Sequence, residues 1–352
     1  ARAQQPQPQA PADAPLPAPV PAPTAQEVRG AAAQIPQAEA IAVAASMDSL
    51  WLAFQADLRY AQRAANTASL NKYGYAPGYV PRATPQEVEA RLKDLCAVVP
   101  MDYNPIVQRF IDAYTVRLRP LTSRLLGQQY IYFPIIEEIF DREGLPQELK
   151  YLAVIESAFN PRARSWAGAA GLWQFMHGTA KMFNARIDSY VDERLDPHKA
   201  TLLAARYLKS MYKVYGDWHL VIAAYNCGPG WVNRAIRRAG GKRNFWQIWP
   251  YLPRETRGYV PSFIAAAYAL NYYAEHNIYP VWVDFAYGTD YVTLQGVKAP
   301  LDRLAALAGV DAQLLADLNP ELKLKEVPYS SAGYRLRVPA AMAELAAAVP
   351  DT

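Results

Sequence analysis

The spacing of apolar residues predicts a mainly helical chain up to about residue 280. Apolar side chains recur every three or four positions, the period of one helical face. The segments with this spacing are about 40–70, 86–97, 105–140, 146–158, 199–214, 217–225, 229–239 and 259–275. Alternating, strand-like patterns begin only after Val281, at 291–294 and 334–338. The pattern therefore predicts a large helical domain over about 40–280, followed by a small mixed module over 288–340.

The small module has the order strand, helix, helix, strand. Its two helices are predicted at 301–308 and 312–318, and Asn319-Pro320 closes the second one. Residues 341–352 form an Ala-rich tail. Within the large domain, we expect a helical N-terminal extension over 40–130 and a second helical part over 131–280.

Residues 1–26 have a composition that cannot build a packed core. They consist mostly of Ala, Pro and Gln, with eight prolines between positions 6 and 23, which removes backbone donors and leaves little apolar surface. The pattern predicts a disordered tether. Such a tether suits an envelope protein held near a membrane, but a terminus without function has the same composition.

Composition narrows the function classes. The 352 residues are 52% hydrophobic and 19% charged, with a formal net charge of +4 and no block of Lys and Arg. Nucleic acid is therefore not an expected partner, although a mildly basic surface fits an anionic polymer such as cell wall. Cys96, Cys227 and four scattered histidines lack metal-ligand spacing, so we expect no metal and no cofactor. No uncharged stretch is long enough to cross a bilayer.

Glu156 is the first candidate for chemistry. Pro146 and Pro161 delimit its helix, and Leu149, Leu152 and Glu156 lie on one face. A carboxylate on an apolar face loses hydration, so its pKa should rise toward the range that a general acid needs. A buried glutamate paired with a structural arginine would show the same pattern.

Three further segments carry candidate binding groups. Residues 165–176 place Trp173, Gln174, Phe175 and Met176 after two glycines, which suits a sugar or simply a tight helix junction. Residues 223–231 end a helix in Gly-Pro-Gly, with Tyr225 and Asn226 at its mouth. The third of these segments, 255–261, begins the last helix of the domain.

Five motifs in this order strongly resemble the lytic transglycosylases of glycoside hydrolase family 23. They are IESAFNP (155–161), GAAGLWQFM (168–176), VDERLDP (191–197), AYNCGPG (224–230) and ETRGYVP (255–261). The resemblance implies that residues 131–280 form a mainly α, lysozyme-like catalytic domain of the α+β lysozyme superfamily. It also implies that the substrate is the glycan strands of peptidoglycan.

The resemblance also implies roles for individual residues. Glu156 matches the single catalytic acid and base. The matching substrate-binding residues are Ser165, Trp173, Gln174, Met176, Tyr225, Asn226 and Tyr259. The Tyr225 hydroxyl is expected close to the acid, and the role of Tyr259 is less defined. The sequence departs from the family pattern at two positions: Trp173 replaces the more usual Met, and His177 replaces the frequent Pro. These changes are expected to affect which sugars bind in the subsites more than the reaction itself.

The implied reaction needs one carboxyl group. Glu156 protonates the oxygen between N-acetylmuramic acid and N-acetylglucosamine, and then takes the proton of the muramic C6 hydroxyl, which closes on C1. An intramolecular hydroxyl replaces the water and second carboxylate of ordinary glycosidases. The product carries a 1,6-anhydromuramic end. A hydrolytic lysozyme of the same fold and a non-catalytic peptidoglycan-binding scaffold are the alternatives.

Other polar groups are more consistent with structural roles. Asp192, Glu193 and Asp196 precede a helix and are expected to cap and orient it. His198 and His219 are expected to be structural, and Cys227 to be a small packed residue. The sequence leaves a disulfide between Cys96 and Cys227 undecided.

The C-terminal module resembles a degenerate LysM domain. Its matching features include Tyr291-Val292, Leu318-Asn319-Pro320 and the strand at 334–338, but the usual Gly-Asp-Thr is replaced by Gly296-Val297-Lys298. That loop helps to form the sugar groove in the family, so the module either binds glycan or packs on the catalytic domain. We expect an exported protein of the periplasm or cell envelope, with a membrane tether through a removed N-terminal segment, and a monomer.

Overall fold

The computed structural model describes residues 24–44, 62–63, 69–283 and 288–347. The expected tether lies outside these ranges up to residue 23, and a helix already begins within it at Ala25. Most of the helix predicted at 40–70 also lies outside them. Within that segment, however, Gln62–Arg63 is a short strand paired antiparallel with Trp282–Val283, so the helix prediction was wrong there.

Helices dominate the large domain, which confirms the prediction of a mainly α fold. The α-helices are Ala25–Ala33, Gln37–Ala44, Pro85–Asp94, Pro105–Asp112, Arg119–Glu143, Tyr151–Ser157, His177–Met182, Pro197–Tyr215, Trp218–Cys227, Pro229–Arg238, Phe245–Ile248, Arg254–Arg257 and Tyr259–Asn271. Short 3-10 turns lie at Gln147–Lys150, Trp249–Tyr251 and Ala274–His276.

Local sequence signals set several of these helix boundaries. Asn104 and Asp196 each precede a proline at the first helical position, and their side chains accept hydrogen bonds from the first free backbone N–H groups. The long Arg119–Glu143 helix ends at Gly144, which has a φ of 67°. Glycine adopts this left-handed conformation without a steric penalty.

The segment 105–140 is two helices rather than one. A π-helical turn, Ala113–Arg117, follows Pro105–Asp112, and Leu118 leaves the helical conformation with a φ of −106° and a ψ of 33°. The following helix starts at Arg119 with Pro120 in its first turn, where the missing N–H does no harm. Apolar spacing continues through the turn, and it therefore concealed the break.

The centre of the large domain is the Tyr259–Asn271 helix. Every residue from Tyr259 to Leu270 is buried. The helix packs against Pro105–Asp112 and Tyr151–Ser157, so the last helix of the domain lies directly beside the helix that carries Glu156.

The C-terminal module has the predicted βααβ order. Thr289–Leu294 pairs antiparallel with Tyr334–Pro339, and the helices Leu301–Ala308 and Ala312–Leu318 lie between these strands in sequence. A minor sheet pairs Ala299–Pro300 with Glu326–Val327. The expected Ala-rich tail contains the helix Ala340–Ala347. No helix within the described ranges is both long and apolar enough to span a bilayer.

Candidate active site

Glu156 is half-buried, whereas the other six residues of the Tyr151–Ser157 helix are buried. The helix ends immediately after it, because Ala158 and Phe159 take positive φ values of 51° and 62°. Such conformations are unfavourable for residues other than glycine and persist only where the surroundings enforce them. The tight reversal leaves Glu156 at the mouth of a predominantly apolar interior.

The Glu156 carboxyl group has an environment that favours its protonated form. Burial is the largest cause and, together with the nearby charge of Glu255, raises its pKa from 4.5 to about 8, against the hydrogen bond from Tyr259. This agrees with the expectation from the apolar helix face. Within the described part of the chain, the groups that act on this carboxyl group are Tyr259 and Glu255 and include no arginine, so the paired-arginine alternative loses its support.

Two tyrosines from different segments surround Glu156. The Tyr259 hydroxyl donates a hydrogen bond to Glu156 Oε1. The Tyr225 hydroxyl instead donates to the Trp173 carbonyl oxygen at 2.8 Å. Burial and the charge of Glu156 raise the pKa of both phenols well above 10, so both remain hydrogen-bond donors. The bonded partner of the acid is therefore Tyr259, whose role the sequence left undefined, and not Tyr225.

Trp173 does not form a wall of the cleft. Its side chain is 0% exposed, its indole N–H donates to Thr201 Oγ1 at 2.9 Å, and its ring packs on Phe140. A ring with no accessible surface cannot contact a sugar. The assignment of Trp173 as a substrate-binding residue was therefore wrong, because the sequence pattern does not distinguish a core indole from an exposed one.

The segment with Ser165 and Gln174 folds back on the end of the Glu156 helix. Ser157 Oγ donates to the Leu172 carbonyl at 2.8 Å. The Gln174 side-chain amide donates to the carbonyls of Gly171 and Ala163 at 2.9 and 3.2 Å. These bonds fix the segment beside the Tyr151–Ser157 helix, with Gln174 half-buried at a φ of 47°.

The remaining predicted cleft residues lie at the edges of this site. Ser165 is exposed, and its Oγ accepts a hydrogen bond from the Ala169 N–H at 3.0 Å. Met176 is half-buried just before the next helix. Asn226 Oδ1 accepts from Thr256 Oγ1 at 2.8 Å, which joins the Tyr-Asn segment to the segment preceding Tyr259. Trp166, which was not among the predicted binding residues, is fully exposed next to Ser165.

The groups expected to be structural do have structural contacts. Asp196 caps its helix by accepting from the His198 N–H at 2.8 Å. His219 Nε2 lies 2.8 Å from the Pro100 carbonyl oxygen. Burial lowers the pKa of His198 to about 3 and raises that of Cys227 to about 11, so neither is charged near neutral pH. Cys96 and Cys227 are free thiols. No cluster of His, Cys, Asp or Glu within the described ranges could hold a metal ion.

Comparison with known proteins identifies two domains. Residues 133–248 match the transglycosylase SLT domain, and residues 289–351 match the LysM-like domain of lytic transglycosylase MltD. Membrane-bound lytic murein transglycosylase D of Escherichia coli K12 is 32% identical over 203 residues, which are 56% of this chain and 44% of that protein. Soluble lytic murein transglycosylase of the same strain is 37% identical over 116 residues, 31% of this chain and 18% of that one.

Among solved structures, the 70 kDa soluble lytic transglycosylase of Escherichia coli aligns with 57% of this chain and 38% of its own at 25% identity, with a TM-score of 0.37. The matches thus span less than half of the length of these relatives. The two domain matches follow each other in the order expected from the motifs, and they include Glu156, Tyr225 and the whole βααβ module. The chain accordingly contains a transglycosylase SLT domain followed by a LysM-like domain of the MltD type.

Proposed function

We propose that the protein is an exported peptidoglycan lytic transglycosylase that cleaves the β-1,4 bond between N-acetylmuramic acid and N-acetylglucosamine. The observation that carries this proposal is the state of Glu156: a carboxyl group with a pKa of about 8, bonded to Tyr259, inside a segment that matches the SLT domain. The names of the relatives, which act on murein, support the same substrate.

The first step is protonation of the glycosidic oxygen. Near neutral pH, Glu156 is protonated and gives its proton to the oxygen that joins muramic C1 to glucosamine O4. The C1–O4 bond breaks with its electron pair on the departing oxygen. The resulting Glu156 carboxylate is stabilised by the hydrogen bond that the Tyr259 hydroxyl donates.

The second step closes the anhydro ring. The C6 hydroxyl of the same muramic residue attacks C1, and Glu156 takes its proton, which restores the acid. One carboxyl group therefore completes both steps, and no water is consumed. The attacking hydroxyl is held on the same sugar, which is worth on the order of several kcal/mol of barrier if the ring is held in the reactive conformation.

The segment next to Glu156 is the proposed binding surface for the glycan. Gln174, Met176 and Asn226 supply polar and soft apolar groups at the cleft, and Ser165 lies at its rim. The exposed indole of Trp166 beside Ser165 offers an aromatic face on which a sugar ring can stack. A location in the periplasm or cell envelope follows from this substrate.

A hydrolytic lysozyme is the second candidate, and one observation favours it. Glu255 is an exposed carboxylate close enough to Glu156 for its charge to raise the Glu156 pKa. A second carboxylate near the acid could activate a water molecule, as in glycosidases that use two carboxyl groups. A non-catalytic scaffold is not favoured, because binding alone does not require a desolvated acid.

Mass spectrometry of products from purified peptidoglycan tests the proposal. The wild-type protein should release fragments with anhydromuramic ends, lighter by one water than hydrolytic fragments, and Glu156→Gln should release none. Reducing ends would show that the enzyme is a lysozyme. Absence of products from the folded wild type, together with retained peptidoglycan binding, would favour the scaffold.

A further inference from the structure

The C-terminal module is joined to the catalytic domain by backbone pairing. The Asp192 N–H donates to the Glu321 carbonyl at 3.0 Å, and the Lys323 N–H donates to the Tyr190 carbonyl at 2.9 Å. Val191 and Leu322 form an antiparallel bridge between these two bonds. Val191 is 1% exposed and belongs to the hydrophobic core of the module rather than to the core of its own domain. Residues 188–192 are therefore paired and packed as part of the module.

Side chains on both sides of the contact reinforce this pairing. Arg162, six residues after Glu156, donates to the Ala316 carbonyl at 2.6 Å and pairs with Asp317 at 3.2 Å. Lys323 Nζ donates to the Asp188 carbonyl at 2.9 Å. Lys298, in the loop that departs from the LysM pattern, lies over the Tyr190 ring. The module thus contacts the catalytic domain both at 188–192 and just after the catalytic helix.

Asp192, at the end of the segment 188–192, forms a buried ion pair with Arg194. Arg194 Nε and Nη2 donate to the two oxygens of Asp192 at 2.9 and 2.8 Å, and the two side chains are only 6% and 3% exposed. The remaining nitrogen, Nη1, donates to the Gly168 and Phe175 carbonyls at 2.9 and 3.0 Å. Arg194 therefore binds both ends of the loop 168–175, which carries Gln174.

The backbone confirms how closely these two segments approach each other. Gly171, in the middle of that loop, has a φ of 85°, and a Cβ atom at this position would lie 1.7 Å from the Arg194 carbonyl oxygen. Only glycine fits there. The loop that lies beside the Glu156 helix thus rests on the segment that the module holds.

We propose that the C-terminal module is a buttress of the active-site cleft, in which Asp192 and Arg194 act as positioning residues that hold the loop 168–175 in its glycan-binding conformation. The inference rests on the proposed function and deepens it. It assigns the module a mechanical effect on turnover that does not require the module to touch the glycan.

A module-side double variant tests the buttress in the full-length chain. Asp317→Ala with Lys323→Ala removes two of these side-chain contacts, the Arg162–Asp317 ion pair and the bond from Lys323 to the Asp188 carbonyl, without altering the catalytic domain. Asp302→Ala with Arg303→Ala, on the exposed face of a helix of the same module, removes the same charges and serves as the matched control. The substrate is a soluble tetrasaccharide of alternating N-acetylglucosamine and N-acetylmuramic acid, and binding to insoluble peptidoglycan is measured by sedimentation.

The buttress predicts a defect that lies in the cleft. The interface variant should raise KM for the tetrasaccharide about tenfold, because the binding loop is less ordered. Amide hydrogen exchange at Gly171 and Phe175 should rise about tenfold or more. The control should match the wild type in both. A merely unstable protein would lower the active fraction, and hence kcat, while KM stayed unchanged, and that pattern counts against the proposal.

A second variant acts at the positioning residue itself. Arg194→Lys keeps the charge but lacks the planar fork that holds Asp192 and two carbonyls at once. It should also raise KM and loop exchange, without shifting the pH profile of turnover. Unchanged hydrogen exchange of the loop in both variants would overturn the buttress. If the interface variant then also sedimented less with insoluble peptidoglycan, the module would bind glycan instead. Amide hydrogen exchange does not depend on catalysis. If the wild type proved inactive, the proposed function would fail, but the exchange measurement would still decide whether the module holds the loop 168–175.

Discussion

The phenol of Tyr259 is hydrogen-bonded to the carboxyl group of Glu156 across 103 residues of sequence. The two residues lie on adjoining helices, one at the last turn of Tyr151–Ser157 and the other at the first turn of Tyr259–Asn271. Burial favours the protonated acid, whereas this bond favours the carboxylate. Burial and this hydrogen bond therefore shift the Glu156 pKa in opposite directions, and burial has the larger effect.

The pH dependence of turnover follows from the Glu156 pKa. Because the acid must be protonated to begin the reaction, activity should fall as pH rises through about 8. Initial rates on a soluble glycan between pH 5 and pH 10 measure this limb, with circular dichroism at each pH as the control for folding. A rate that already declines between pH 4 and pH 6 would contradict an acid with a raised pKa.

Tyr259→Phe should shift that limb to higher pH. Removing the phenol takes away the bond that lowers the Glu156 pKa, so the pKa should rise further. The maximum rate should also fall by roughly tenfold or more, because the carboxylate loses a hydrogen bond that orients and stabilises it. Tyr151→Phe is the matched control, since that buried hydroxyl bonds to Asn271. An unshifted limb in Tyr259→Phe would show that the bond does not act on the ionisation.

Glu255→Gln separates the two candidate reactions. If Glu255 acts only through its charge, its neutralisation should lower the Glu156 pKa, shift the alkaline limb to lower pH and leave the maximum rate nearly unchanged. If Glu255 activates a water molecule, the rate should fall by about 100-fold or more, as expected for loss of a general base. The wild type at raised ionic strength is a useful comparison, because salt screens the charge of an exposed carboxylate.

Much of the fold was predictable because local signals and the hydrophobic period agree. Pro146 and Pro161 bound the segment that contains the Tyr151–Ser157 helix, and Asp196 caps the helix Pro197–Tyr215, which was also expected. The two strands and two helices of the module also followed from alternation and spacing. The π-helical turn at Ala113–Arg117 was not predictable, since apolar spacing is blind to a single added residue in a helical turn.

The candidate site was predictable in its residues but less so in their contacts. The raised pKa of Glu156 followed from its place on an apolar face. Which tyrosine is hydrogen-bonded to Glu156 depends on how the helices pack against each other, and neither motif predicts that packing. The burial of Trp173 is also a tertiary property, because the same Leu-Trp-Gln pattern would fit a cleft wall. Tertiary packing decides both cases.

Trp173→Phe tests the structural role of that indole. The smaller ring would leave a cavity against Phe140 and remove the hydrogen bond to Thr201. The free energy of unfolding should decrease by about 1–3 kcal/mol. KM for a soluble glycan should change little, because the ring has no accessible surface. Urea denaturation and steady-state kinetics on the same preparation measure both. A large rise in KM without loss of stability would contradict the structural role and indicate that Trp173 contacts the glycan.

Glu156→Gln should stabilise the protein, and increasingly so at higher pH. Between pH 4.5 and about 8, the folded state holds a proton on Glu156 that the unfolded chain releases, so the stability of the wild type decreases as pH rises through this window. Glutamine cannot ionise and escapes this loss, while its amide oxygen can still accept from Tyr259. The difference in unfolding free energy between variant and wild type should therefore grow from pH 4.5 to pH 8 and level off above it.

Denaturant unfolding at pH 4.5, 6, 7 and 8 measures that difference. Glu138→Gln, which removes an exposed carboxylate elsewhere in the same domain, controls for the loss of one negative charge. Glu321→Gln provides a second comparison, because burial and the nearby Asp196 raise the Glu321 pKa to about 8 as well. It should show the same direction of change in the module, independently of the active site. A stability difference for Glu156→Gln that stays constant with pH would mean that the carboxyl group is hydrated in the folded protein, and that it is not the desolvated acid on which the proposed reaction depends.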